Sequence, residues 1–368
     1  MGRFLLRFFL FLILLAAAGE LFFRYVVVAS NTAYKIEDKE FKVMLHDTAG
    51  SRKGVYTTGR LGLHRSRWQI NHQGWKRAED YESPHSGRKP VIAVIGDSYI
   101  AGFQVAEREH LTLQLEELLS DCYHVYNLGQ GGTCASQFLH VARYAEARFD
   151  PDLYVVLVRD GDWKQSITYY IRDQRTWQLR WDGTRYVEVP AEFQATRWRR
   201  LPKYCAIIRY FVYNVNLDIF SGRQGGWRQA GTDPSDKRKS RSDAPSVKDG
   251  MFYIVRRFRE EIPYKPLIFM YDAQQGNVYK GTPPFSQNYL PWLQEICIET
   301  RCDVLDLGDV FADRWAANHR RFDFGRDYHW NAYGHRVVAE GIYDHLIREG
   351  LVVPEAEREL QAALRGMK

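Results

Sequence analysis

The sequence predicts an α/β fold built on a parallel sheet, and three observations carry that prediction. Between Val91 and Val158, apolar runs alternate with helical periodicity: "VIAVIG", a segment from Glu107 to Leu119 with leucines at helical spacing, "HVYNLG", "SQFLHVARYAEARF" and "DLYVVLV". "VIAVIG" is a continuous apolar run, as expected of a strand covered on both faces. The alternation then resumes with "PLIFMYD" from Pro266, a helix candidate from Ser286 to Thr300, the strand "DVLDL" and a helix from about Asn331 to Arg348. Strand–helix–strand units of this kind join parallel strands by right-handed crossovers.

Before the first strand, residues 31–89 form a polar, turn-rich lead-in, and 351–368 form a C-terminal tail. The α/β unit spans 90–350 and is interrupted at about 164–250. Within the interruption, "TWQLRWDGTRYVEV" places an Asp182-Gly183 turn between two alternating aromatic-rich runs, which predicts a hairpin. The stretch "GRQGGWRQAGTDPSDKRKSRSDAPSVKDG" predicts a solvated loop, its basic cluster being Lys237, Arg238, Lys239 and Arg241.

With 368 residues and 45% hydrophobic content, the chain can bury a sizeable core. The net charge of +6 is spread among 45 acidic residues, which argues against nucleic acid as a partner. At the N-terminus, Arg3 and Arg7 precede an uncharged run from Phe8 to Gly19, and apolar residues resume after Glu20 and again after Arg24. Residues 1–30 therefore read as a membrane anchor or a signal segment, with Ala16-Ala17-Ala18 as a cleavage candidate. Either reading exports the remainder, because Arg3 and Arg7 stay on the cytoplasmic side. Five cysteines fit such a compartment: Cys297 and Cys302 are close enough for a local disulfide, Cys122 and Cys134 flank a strand and turn, and Cys205 lies apart. Small buried residues are the plainer reading of all five.

The chemistry is expected at the carboxyl ends of the parallel strands. Three turns fall there: "AVIGDSYIAGF" with Ser98 after the first strand, "NLGQGG" after the second and "RDGDW" after the third. A serine hydroxyl needs a base, and the base needs a partner that fixes its tautomer. "GRDYHWNAYGH" supplies Asp327 and His329 just before the last helix, whereas His335 falls on the helix itself as a core candidate. Glycines 129, 131 and 132 let backbone amides approach a substrate closely and serve as oxyanion donors with the amide of Ser98. A Gly-rich turn can also cradle phosphate, but no phosphate-loop pattern accompanies it. Nothing in the sequence requires a metal or another cofactor.

These blocks resemble the SGNH or GDSL hydrolases, in particular bacterial membrane-anchored members. "VIGDSY", "NLGQGG", "PDLYVVLVRDGDW" and "DYHWNAYGH" resemble the first, second, third and last family blocks, and "INHQGWKRAEDY" and "GELFFR" are similar to accompanying stretches. The resemblance implies a flavodoxin-like three-layer α/β/α fold. It also implies a Ser98, His329, Asp327 catalytic set, with oxyanion donors from the amides of Ser98 and Gly132. Asp97, Asp162, Trp163 and Trp330 flank the blocks and are expected to touch substrate, with Trp177 and Trp181 as further candidates for sugar stacking or for hairpin packing. In two places the pattern departs from the family. The third block normally carries an oxyanion Asn where this chain has Gly161, which leaves Arg159 or an insertion residue as a substitute donor. The acid normally lies three residues before the His, whereas Asp327 lies two before His329, with Asp323 and Arg326 close by. That tighter spacing looks like polysaccharide O-acetyltransferases.

The expectation is thus an exported serine esterase acting on an acyl ester of a glycan, lipid or small molecule. A related reading is acyl transfer to an envelope glycan, supplied by a membrane acyl-donor protein. A non-catalytic binding or assembly protein of the same fold is the reading that Gly161 motivates.

Overall fold

The computed structural model describes residues 1–31, 33–85, 87–120, 122–173, 175–192, 201–215, 217, 245–285, 288–325 and 327–353. The basic cluster at 237–241, Arg326, the first residues of the helix expected from Ser286 and all of the tail beyond 353 lie outside the described residues.

An N-terminal helix α1 (Gly2–Leu21) continues through a wider π turn to Val26, buries none of its residues and is long and apolar enough to cross a membrane; a signal sequence meets the same description. The lead-in forms two antiparallel ribbons, β1 (Lys35–Glu37) with β2 (Met44–His46) and β3 (Lys53–Thr58) with β4 (His64–Gln69). The α/β unit follows as β5 (Val91–Gly96), α2 (Ser98–Ala101), α3 (Leu111–Leu118), β6 (His124–Gly129), α4 (Ala135–Phe149), β7 (Leu153–Val158) and α5 (Asp160–Gln165). The interruption contains the hairpin β8 (Gln178–Trp181) and β9 (Tyr186–Val189), then α6 (Leu201–Tyr204) and α7 (Ala206–Arg209). The unit resumes with α8 (Val247–Glu261), β10 (Leu267–Tyr271), α9 (Gln275–Lys280), α10 (Leu290–Thr300), β11 (Asp303–Asp306), α11 (Leu307–Asn318) and α12 (Ala332–Arg348).

The five main strands are all parallel and lie in the order β11-β10-β7-β5-β6. In chain order that is 2-1-3-4-5, the flavodoxin-like arrangement, whose switch point falls between β5 and β7. Alternate residues of β5 feed opposite cores. Val91, Ala93 and Ile95 pack with Phe138 of α4, Phe258 of α8 and Leu293 of α10. Ile92 and Val94 pack with Leu115 of α3, Phe311 of α11 and Val338 of α12. Helices therefore cover both faces, which explains why the central strands read as unbroken apolar runs.

The lead-in ribbons pack onto the strand-end turns of the sheet. Lys76, a buried lysine, donates from Nζ to the carbonyls of Gly102 and Val105. Burial lowers its amine to about 7. His64 of β4 bonds the Gln104 carbonyl at 2.8 Å, and Lys35 of β1 donates to the carbonyl of Gly131. Cys297 and Cys302 form a disulfide at the end of α10, while Cys122, Cys134 and Cys205 are free thiols.

Candidate active site

Three local devices aim the site residues. After β5 ends at Gly96, the Asp97 carboxylate accepts from the Tyr99 amide at 2.9 Å and caps α2, so Ser98 opens that short helix at the strand's end. Behind it, a Cβ on Gly129 would lie 2.1 Å from the Ala101 amide nitrogen, so only glycine lets β6 end this close to α2. Before the last helix, Asn331 caps α12 through the Gly334 amide, and its side-chain nitrogen donates to the carbonyls of Arg321 and Asp323. That ties Arg321 and Asp323 to the start of α12, and Asp327 and His329 lie between them.

These turns bring the three residues into one line. His329 Nε2 stands 2.8 Å from Ser98 Oγ, and Nδ1 stands 2.5 Å from Asp327 Oδ1. The His329 amide also donates to Asp327 Oδ1, at 3.1 Å. With its proton on Nδ1 donated to the carboxylate, the ring leaves Nε2 free to take the hydroxyl proton. Burial pushes the Asp327 carboxyl up, but the bonds and charge of His329 outweigh it and hold the group below its ordinary value. Asp323 is committed elsewhere: it accepts from Tyr279, Arg321 and the Gly325 amide. His335 is buried against His110, as a core residue.

The second turn lies beside Ser98, and the third meets the adjacent Asp97 through Arg159. A Cβ on Gly131 would lie 3.5 Å from Ser98 Cβ, and Gly132 takes a positive φ of 78°. After β7, Gly161 sits in the first turn of α5, and a Cβ there would lie 3.4 Å from Gln165 Nε2. Gln165 thus places its carboxamide beside the space that a side chain at 161 would enter. That carboxamide makes no hydrogen bond among the described residues. The next residue, Ser166, accepts from the amide of Ser136 at 2.9 Å, which holds the end of α5 against the start of α4, just beyond Gly132.

The four side chains expected to touch substrate are all buried in this structure. Asp97 is spent on the α2 cap and on Arg159, 2.6 Å away. Asp162 is buried and accepts from the Arg159 amide. Trp163 packs on Phe269, and Trp330 lies against Tyr99 and Phe311, both in the core with no ring face left for a ligand. Trp177 stacks on His140 at 3.6 Å, while Trp181 remains exposed on the hairpin.

The sequence reading did not place the charge cluster beneath Ser98. Arg159 faces the carboxylates of Asp97, Asp162 and Asp272, with its guanidinium 4.6 Å over the Tyr99 ring. Burial raises Asp162 and raises Asp272 to about 7, with Arg159 opposing both shifts. No local signal reveals this group, because its members come from β5, β7 and β10. A cavity of about 830 Å³ lined by Tyr264, Lys265, Leu267 and Arg301 opens at the other end of β10 and contains none of these residues. No group of three or more metal-ligating side chains occurs among the described residues.

No family model and no curated protein matches the chain. Among solved structures it is similar to the acetyl xylan esterase AlAXEase, at 14% identity and a TM-score of 0.39 over 70% of this chain and 99% of that one. It is also similar to a member of the lipolytic protein G-D-S-L family from Veillonella parvula DSM 2008, at 11% identity and 0.37 over 70% and 98%. A third similar structure is the lipase/acylhydrolase from Enterococcus faecalis, at 12% and 0.38 over 72% and 98%. The chain is thus an α/β unit on a five-stranded parallel sheet of order 2-1-3-4-5, with the Gly-Asp-Ser turn following β5 and the Asp-Tyr-His segment preceding α12.

Proposed function

We propose that this chain is a membrane-tethered serine esterase, and the Ser98–His329–Asp327 line is the observation that carries the reading. Ser98 Oγ attacks the ester carbonyl carbon as its proton passes to His329 Nε2, and Asp327 stabilises the imidazolium. The tetrahedral oxyanion is met by the amides of Ser98 and Gly132 and by the carboxamide of Gln165, which stands in for the side chain that Gly161 lacks. The bond to the alcohol then breaks, His329 returns the proton to the leaving oxygen, and water releases the acid from Ser98 by the same steps. Arg159 is the positioning residue beneath this set and donates to Asp97 rather than to substrate.

α1 anchors the chain with Arg3 and Arg7 in the cytoplasm and the α/β unit in the periplasm or outside the cell. The substrate class is an acyl ester of a glycan, lipid or small molecule. The spacing of Asp327 and His329 favours a second reading, transfer of the acyl group to an envelope glycan from a membrane acyl-donor protein.

The experiment is p-nitrophenyl acetate turnover by the detergent-solubilised full chain beside Ser98→Ala and His329→Ala, with mass spectrometry for an acetyl group on Ser98. Turnover abolished in both variants and an acetyl group on wild-type Ser98 are the expected results. A folded wild type that neither turns over nor acylates would overturn both enzymatic readings. A sugar acceptor that draws acetyl from the enzyme in competition with water would select transfer.

A further inference from the structure

The exported domain rests against the end of its own apolar helix, and the contacts form a built joint. The Glu20 carboxylate accepts from the Ala206 amide at 2.7 Å and the Ile207 amide at 3.2 Å, capping α7. Arg24 pairs with Glu20 and donates to the Tyr204 carbonyl at 3.2 Å. The Phe23 ring stacks on Tyr210 with centroids 4.1 Å apart, and a Cβ on Gly19 would lie 3.2 Å from Ile207 Cδ1. On its other side the same segment is fastened to the lead-in: Asn214 accepts from the Ser30 amide and donates to Thr57 Oγ1, both at 2.9 Å.

This joint fixes a depth. α1 has 20 residues, about 30 Å of helix, which matches the hydrocarbon thickness of a bilayer. If α1 spans from Gly2, with the Arg3 and Arg7 side chains reaching back to the cytoplasmic headgroups, then Gly19 to Arg24 lie at the far boundary between acyl chains and headgroups. Whatever packs on Gly19, Glu20 and Phe23 lies at that level too. The packed segment exposes the side chains suited to that level: Tyr204 (67% exposed), Phe211 (36%), Tyr213 (39%) and Leu217 (48%). Tyrosine and other aromatic rings concentrate at membrane interfaces, where one end is apolar and the other wet. The exposed apolar surface of α1 continues directly into this set through Leu21, Phe22 and Tyr25.

We infer that residues 201–215 and Leu217 form a second membrane contact, lying in the phospholipid interface beside α1 with Tyr204, Phe211, Tyr213 and Leu217 against lipid. The inference rests on the anchored reading of α1 and is independent of the serine chemistry. The domain is then seated on the bilayer at a fixed height rather than hung from a loose tether.

The test places the photo-reactive p-benzoylphenylalanine at Phe211, at Tyr213, at Phe11 within α1 and at Tyr264, an exposed residue between α8 and β10. Each full-length variant is reconstituted in phosphatidylethanolamine/phosphatidylglycerol vesicles, irradiated and weighed by mass spectrometry for lipid adducts. Adducts at Phe211 and Tyr213 approaching the yield at Phe11, and about tenfold above Tyr264, are expected for side chains at the acyl–headgroup boundary. Adducts confined to Phe11 would overturn the interfacial contact while leaving the anchor intact. Absence at Phe11 as well would overturn the anchor and the contact together, and turnover of p-nitrophenyl acetate by the same sample would show whether the esterase reading survives. Cross-links from Phe211 or Tyr213 to a second copy of the chain would overturn it in favour of a protein interface.

Discussion

The hydroxyl of Tyr99 donates to the carbonyl oxygen of Tyr328 at 2.9 Å, joining the residue after the serine to the residue before the histidine across 229 positions of sequence. The same ring lies 4.8 Å from the ring of His329 and carries Arg159 on its other side. Tyr99 therefore sets the gap between Ser98 and His329. A half-buried hydrogen bond of this kind contributes about 1 kcal/mol. Tyr99→Phe should lower kcat on p-nitrophenyl acetate by about three- to tenfold with KM nearly unchanged, as expected when about 1 kcal/mol of alignment is lost. Steady-state kinetics on the folded variant check this; a raised KM with intact kcat would remove the alignment role.

Asp327→Asn leaves a side chain of the same shape that no longer fixes the imidazole tautomer. Turnover should fall by about 10²- to 10⁴-fold, with the thermal midpoint shifted little. A loss confined to stability would instead make Asp327 a loop residue only.

Gln165→Ala removes the carboxamide beside Gly161 and should lower kcat by about 10²- to 10³-fold, the usual effect of losing one oxyanion donor. The double variant Gly161→Asn/Gln165→Ala returns a carboxamide to the same space from the neighbouring turn of α5. Recovery of about tenfold or more over Gln165→Ala is expected if the amide itself is what matters. A Gln165→Ala enzyme as active as wild type would rule the donor out.

Arg159→Met strips three inward carboxylates of their shared cation. Asp272 is ordinarily near 3.8 and is raised to about 7 in the folded chain, so the fold retains a proton that the unfolded chain releases. Stability from this group therefore declines as pH rises from about 4 towards 7. Without the guanidinium the carboxyls rise further and the decline steepens. Thermal melts should show a small deficit at pH 5.5 and a larger one at pH 8, of order 3–5 kcal/mol for a buried charge set left without its partner. An equal deficit at both pH values would mean that Arg159 acts through packing alone.

The central strands β5, β7 and β10 were legible because each is buried on both faces and is apolar throughout, whereas the edge strands β6 and β11, which carry His124, Asn127, Asp303 and Asp306, were legible from their place in the alternation. β1 to β4 were not, since ribbons such as "HRSRWQ" expose every other side chain and read as polar turns. α8 was passed over because its start, "SVKDG", closes a hydrophilic stretch. Its buried Met251, Ile254, Val255 and Phe258 nevertheless carry the helical period that marks it. At the site, Ser98, Asp327 and His329 announced themselves by local motif. Tyr99, Arg159 and Gln165 are arranged by tertiary packing, and Trp163 and Trp330 show that proximity to a motif does not reveal which way a ring turns.

The ribbons have a consequence for the order in which the molecule forms. Lys35 meets Gly131 across 96 residues, Ser30 meets Asn214 across 184, and Glu20 meets Ala206 across 186. The stretch nearest α1 is synthesised first, yet its partners emerge long after it. Contacts of such separation form slowly, because chain closure must precede any gain from them. The nascent protein thus holds its earliest lead-in residues open through most of its synthesis, and the docking of residues 201–214 onto the base of α1 is a late closing step.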